Sequence, residues 1–208
     1  MVPDNVFYSM TRRPVISVIG DAALKPGCAK ERFAFALGST LISNGYRIMS
    51  GGLGGVMEAV SRGAHDSPNY CEGDVIAILP GNDPAQANPY TDIVIATGLD
   101  HARNFIVANT DAVVAIGGGS GTLSELSYAW VMRRLILAYR VPDSVHVEGI
   151  FSDWGSIVAD KKIDDKSRYP DIPDDKIFGV DTPDDVIRIL SERLSKYTSR
   201  PTLAGKRD

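Results

Sequence analysis

Residues 117–125 read Gly-Gly-Gly-Ser-Gly-Thr-Leu-Ser-Glu and follow the apolar run at 111–116. A buried strand, a glycine turn and a helix that opens near a carboxylate describe a cradle for a phosphate. Glycine lets the main chain approach an anion without a Cβ in the way. The first N–H groups of the following helix are unpaired and carry partial positive charge, so phosphate is their natural partner. Thr122 can add a hydroxyl donor in the same place. Glu125 is the odd member, because it sits close to where an anion would bind. Work on a sugar or base would explain it; a simple favourable term with the helix dipole is the alternative.

A second glycine cluster, Ser50-Gly-Gly-Leu-Gly-Gly55, also stands between a β-branched run and a helical pattern. Neither cluster is a Walker loop, since no Gly-Lys-Ser/Thr follows, so nothing supports ATP hydrolysis. Gly20-Asp21-Ala-Ala lacks the spacing of a dinucleotide fingerprint after the first strand, which argues against hydride transfer.

These loops need strands and helices to aim them. Residues 15–19 form a β-branched run closed by Gly20-Asp21 and read as a buried parallel strand. Residues 28–44 place Phe33, Ala36, Leu37, Thr40 and Leu41 at helical spacing and stop at Asn44-Gly45. Further strands are expected at 46–49, 75–79, 93–96, 112–116, 135–139 and 177–180. Helices are expected at 56–65, 101–109, 122–133 and 151–159. A last helix starts at Thr182-Pro-Asp-Asp185, with Thr182 as N-cap and Pro at N1. The stretch 160–175 reads as a charged surface loop.

Alternating strands and helices imply parallel pairing with right-handed crossovers. We therefore expect one α/β domain over residues 14–198: a Rossmann-like, doubly wound parallel sheet of six to seven strands with helices on both faces. Residues 1–13 read as a loosely held N-terminal arm and 199–208 as a flexible tail. Ligands of such sheets sit beyond the carboxyl ends of the strands. Four marked loops fall there: Gly20-Asp21, 50–55, 80–89 and 117–122.

The bulk composition is ordinary for a globular chain of 208 residues, 44% apolar and 23% charged, with a net charge of −4. No block of like charge suggests a nucleic-acid or membrane surface, and neither partner is expected. Cys28 and Cys71 stand far apart without metal-binding company and read as reduced thiols of a cytoplasmic protein. The apolar run after Arg12-Arg13 is too short for a signal peptide or a membrane span. Asp184 and Asp185 belong to a helix start, so no metal is expected. His101 reads as a surface or capping residue, and His65 and His146 have no partners in sequence. Trp130 and Tyr128 read as buried or at a subunit contact.

The segments Ser50-Gly-Gly-Leu-Gly-Gly-Val-Met57 and 117–125 together resemble the Lonely Guy (LOG) superfamily, long labelled as lysine decarboxylases. Its hallmark is Pro-Gly-Gly-x-Gly-Thr-x-x-Glu, preceded by an Arg in a His-x-Arg-Lys segment. Here His101-Ala-Arg103-Asn104 carries that Arg, 22 positions before Glu125. The resemblance spans residues 15–140. Gly117 stands where the hallmark has Pro, and Asn104 where it has Lys. Both departures are shared with a sister branch that resembles molybdenum-cofactor carrier proteins, which bind a phosphorylated pterin and need not turn it over.

The resemblance implies a protein that binds a phosphorylated nucleotide or nucleotide-like ligand, AMP-like or the molybdenum cofactor, with no cofactor required for any chemistry. Its alternative is a phosphoribohydrolase cleaving a cytokinin-type nucleoside 5′-monophosphate to free base and ribose 5-phosphate. N-glycosidic cleavage passes through an oxocarbenium-like state, which a nearby carboxylate can stabilise. Glu125 and Arg103 match the family's catalytic pair. Arg103 would grip phosphate or ribose oxygens bidentately; a solvated helix charge is its alternative. Gly118, Gly119, Ser120, Gly121 and Thr122 would hold the phosphate. Gly51, Gly52, Gly54 and Gly55 would border ribose and base, with Asp21, Met57 and Glu58 at the rim. A homodimer or higher homo-oligomer is implied too. Decarboxylation is rejected, because Schiff-base chemistry needs a lysine aimed into the site. Lys25, Lys30, Lys161, Lys162, Lys166, Lys176, Lys196 and Lys206 all read as loop or solvated helix positions.

Overall fold

The computed structural model describes residues 12–142 and 153–198. Most of the expected arm, the tail at 199–208, His146 and the first two residues of the helix expected at 151–159 lie outside these.

Seven strands form one sheet: β1 (Val15–Gly20), β2 (Arg47–Ser50), β3 (Val75–Leu79), β4 (Ile93–Ala96), β5 (Ala112–Ile116), β6 (Leu135–Tyr139) and β7 (Phe178–Val180). Their order is β4-β3-β2-β1-β5-β6-β7. All six pairings are parallel. The helices are α1 (Ala29–Ser43), α2 (Val56–His65), α3 (Asn104–Ala108), α4 (Ser120–Val131), α5 (Trp154–Val158) and α6 (Pro183–Thr198). The fold is thus a single all-parallel α/β Rossmann-like sheet. The helix expected over 101–109 is divided, with a 3-10 turn at Asp100–Arg103 leading into α3.

Side chains alternate across each strand, and the two faces build separate apolar layers. Ile16, Val18, Val114 and Ile116 pack with Leu37 and Leu41 of α1, Val60 of α2 and Leu190 of α6. Ile19, Val113, Ala115 and Ile136 pack with Val107 of α3, Leu126 and Trp130 of α4 and Val158 of α5. With both faces covered, the central strands are largely apolar, as in the fully buried Ala112–Ile116, and the buried Ser17 of β1 donates to the Val107 carbonyl. Thr182 and Asp185 close a reciprocal cap at the start of α6: the Asp185 amide donates to Thr182 Oγ1 and the Thr182 amide to Asp185 Oδ2.

The stretch 160–175 is a largely exposed loop, as expected, but four of its residues, Arg168, Tyr169, Ile172 and Asp175, are buried and pin it to the core. Tyr169 and Ile172 enter the α1/α6 layer. Arg168 donates bidentately to Asp175, at 2.8 and 2.6 Å, inside the protein. Its guanidinium lies 3.8 Å from the Trp130 ring centroid, and Tyr197 donates to Asp175 Oδ1. Charge in the sequence suggested exposure; a paired and stacked charge can instead be buried. Arg12 and Arg13, placed in the arm by sequence, are tied to Asp111 and Asp74.

The chain leaves β1 toward β2 and leaves β5 toward β6, in opposite directions across the sheet. The crevice above the β1/β5 boundary is therefore the topological switch point, where ligands of such sheets bind.

Candidate functional site

A cavity of about 350 Å³ opens at that crevice, within the size range of small-ligand pockets. Gly20 and Asp21 at the end of β1, Gly51 and Leu53 after β2, Pro80 after β3, Asp100, His101 and Arg103 after β4, and Gly119–Thr122 and Glu125 at the start of α4 all line it. Four separate strand ends thus converge with the start of α4.

The floor is the first turn of α4. Its N-cap is Gly119, and no side chain caps the turn, so the leading amides have no intrahelical partner. Behind the turn, Trp154 and Gly155 donate their amides to the carbonyls of Gly118 and Gly117. Gly118 adopts φ +99, and a Cβ there would strike the Thr122 side chain. Only glycine fits that position. Thr122 is buried, and its hydroxyl donates to the Gly20 carbonyl at 3.4 Å. Asn104 is buried as well; its side-chain amide donates to Ser124 Oγ at 2.8 Å and, more distantly, to the Gly121 carbonyl. The residue that replaces the hallmark Lys is therefore a brace between α3 and α4.

The inner wall is an ion pair. Arg103 Nη1 donates to Glu125 Oε1 at 3.0 Å, with side-chain exposures of 11% and 8%. Arg103 is thus no solvated helix charge. Its Nε is buried without a partner, so the guanidinium has unused donor capacity. Burial pushes the Glu125 carboxyl up to about 7, against the opposing charge and hydrogen bond of Arg103. Gly51 makes room for the pair: a Cβ there would lie 2.7 and 2.8 Å from the Arg103 terminal nitrogens and 2.9 Å from Met57 Sδ.

Of the residues singled out by sequence, Asp21, Gly51, Met57, Arg103, Gly119, Ser120, Gly121, Thr122 and Glu125 border this one cavity. The structure places others elsewhere. Gly118 is buried behind the turn. Gly52 packs against Ala77 of β3, and Gly54 and Gly55 face the main chain of residues 21–23. Gly55 and Glu58 line a small neighbouring groove with Glu31 and Arg62. A glycine cluster does not say which members face a ligand, because some serve the turn itself.

Lys30 corrects the reading of the lysines. It bonds Asp21 at 2.7 Å and Asp153 at 2.9 Å and is only 20% exposed. Its ammonium also lies against Gly117. It thus ties the loop after β1 to the back of the glycine turn, a role with no local sequence signal. Two carboxylate partners make it an unsuitable free amine. Among the described residues, no group of three or more His, Cys, Asp or Glu could hold a metal ion. None of the described helices is long and apolar enough to cross a membrane.

The molybdenum cofactor binding protein of Rippkaea orientalis is 26% identical, with TM-score 0.67 over 88% of this chain and 98% of that one. The molybdenum cofactor carrier protein of Chlamydomonas reinhardtii is 32% identical, with TM-score 0.53 over 62% and 77%. A protein of Archaeoglobus fulgidus named only as uncharacterized is 38% identical over 126 residues, 59% of this chain and 79% of its own. A family model covers residues 13–166, and with it the sheet edge that carries the cavity: the chain belongs to the SLOG cluster4 family.

Proposed function

We propose that this protein binds a small phosphorylated, nucleotide-like ligand at the carboxyl edge of its sheet, with the molybdenum cofactor as the foremost candidate. One observation carries the reading: uncapped amides of α4 and a buried guanidinium with an unpartnered Nε border the same cavity. Amides at a helix start and Arg are both donors suited to a phosphate ester. The donor set fits the cofactor's phosphate and pterin rather than its metal. In this role the cofactor is cargo. Gly119, Ser120, Gly121 and Arg103 would bind its phosphate, and Leu53, Met57 and Pro80 would shield its ring from water. The similarity to two proteins described by their molybdenum cofactor supports this ligand over a plain nucleotide.

Calorimetric titration with AMP, GMP and the isolated cofactor tests the proposal. Binding of the cofactor at least tenfold tighter than either nucleotide is expected. Absence of binding by all three would overturn it.

A second reading rests on Glu125. A buried carboxyl raised to about 7 beside Arg103 suits proton transfer near neutral pH, as a phosphoribohydrolase acting on a nucleoside 5′-monophosphate would need. Incubation with AMP and prenylated AMP would then release free base, and Glu125→Gln would abolish the release. Unchanged substrate with the wild-type protein would exclude this activity.

We also propose self-association through the face of α3 and α4. Phe105, Tyr128 and Val131 are exposed there, and the two rings meet edge to face. Val131→Asp is expected to shift the protein to a smaller species in sedimentation velocity; an unchanged sedimentation coefficient would argue against this face.

A further inference from the structure

We infer that an anion entering this cavity displaces Glu125 from Arg103, and that Glu125 takes up a proton as it does so. The inference rests on the anion-binding reading above and extends it to the ionic state of the bound complex.

The argument starts from a shortage of positive charge. The cavity lining holds three carboxylates, Asp21, Asp100 and Glu125, and one guanidinium, Arg103. Lys30 approaches from α1 but is already shared by Asp21 and Asp153. Asp100 and His101 sit at the solvent rim, each more than four-fifths exposed. Glu58 of α2 faces the neighbouring groove with Arg62. Asn104 supplies a neutral brace where a second cation could have stood. Among the described residues, Arg103 is thus the only buried cation lining the cavity, and it is committed to Glu125 by a 3.0 Å bond.

A bound phosphate or sulfate group would lie in the same cavity, against the same buried guanidinium. Two anions cannot share one buried cation in low dielectric without one of them becoming neutral. Arginine does not give up its proton in proteins. A sulfate cannot gain one near neutral pH, so the carboxyl must. Glu125 is suited to this, being buried and held by the hydrogen bond from Arg103. Its burial already places its titration near neutrality. Protonated Glu125 would release Arg103 to the ligand and could itself donate a hydrogen bond. The ligand would be held more tightly in mildly acidic than in alkaline solution, which gives the site a means of capture and release.

The test is isothermal titration of the full chain with sodium sulfate and, separately, with AMP, between pH 6 and 8.5. Each titration is run in two buffers of different ionisation enthalpy. Sulfate does not titrate in this range, so any proton drawn from the buffer on binding goes to the protein. For the wild type we expect uptake of about half a proton at pH 7, approaching one by pH 8, and affinity about tenfold weaker at pH 8 than at pH 6. Glu125→Gln, close in shape and unable to ionise, is expected to bind with no proton uptake and flat affinity. It should bind more tightly than the wild type at pH 8. Histidine as a residue type also titrates near neutrality, but His101 is retained in the variant, so uptake that persists in Glu125→Gln would overturn the assignment. Sulfate or AMP binding with no uptake in the wild type would overturn this inference and leave the anion site standing. No binding of either probe at any pH would overturn the anion site itself.

Discussion

Arg103 closes a 3-10 turn after β4 and Glu125 lies in the second turn of α4, 22 residues away, yet the two largely buried side chains meet at 3.0 Å. Their meeting depends on Gly51, which comes from a third loop. The site is therefore a joint product of the ends of β2, β4 and β5, and the variants below separate its parts.

Gly51→Ala should disturb binding far more than folding. The new methyl would press on the ends of two flexible side chains, Arg103 and Met57, which can move aside at little cost. We expect a melting temperature within about 2–4 °C of wild type, equivalent to less than about 1 kcal/mol. Ligand affinity should fall about tenfold because the guanidinium is displaced, a loss of about 1.4 kcal/mol. Thermal melts and calorimetry on one preparation check both.

Gly121→Ala and Gly118→Ala should behave oppositely. A methyl on Gly121 meets no protein atom, and the residue borders the cavity within α4. Helix propensity then predicts equal or higher stability, by up to about 1 kcal/mol, with ligand binding impaired by the methyl in the cradle. Gly118→Ala carries both the positive φ and the collision with Thr122, and should lose about 1–3 kcal/mol or more. Equal urea midpoints for the two variants would contradict this account of the turn.

Glu125 should leave a mark on stability against pH. Its folded-state value, about 7, lies above the ordinary 4.5 because burial disfavours the charge. The stabilisation it contributes is fully present below 4.5 and is lost as pH rises through 7. In Glu125→Gln this decline is missing. Between pH 5 and 7, wild-type stability should therefore fall relative to the variant by up to about 1.4 kcal/mol per pH unit. Urea unfolding at pH 5, 6, 7 and 8 measures the difference; parallel curves would contradict it.

Asp175→Ala should damage the fold and spare the site. It would strand the buried Arg168 guanidinium and remove the acceptor of Tyr197. Breaking such a pair costs about 3–5 kcal/mol. Denaturant unfolding should reveal that loss, while any ligand affinity measured below the transition stays within about twofold of wild type.

Much of this architecture was legible in the chain itself. Residues 75–79 and 112–116 are short apolar runs closed by turn residues, and such patterns lie within windows of five to ten residues. The glycine turn before α4 and the Thr182 cap are local for the same reason: each depends on the φ, ψ and donors of a few neighbouring residues. The alternation of strand and helix then leaves few topologies for a parallel sheet. The matching motifs at 50–57 and 117–125 pointed to the family that the chain belongs to.

What only the tertiary structure decided was which of these residues share a space. Gly51 faces Arg103 while Gly52 faces β3, a choice made by how the loop leaves β2. Lys30 reaches the glycine turn, and Arg168 turns inward, because a distant part of the chain adds to a nearby partner: Asp153 joins Asp21 at the first, and Trp130 joins Asp175 at the second. Local pattern is a property of backbone dihedrals and short-range spacing. Charge pairing, burial and the shift of Glu125 depend on distances through space, and those exist only once the strands are in register.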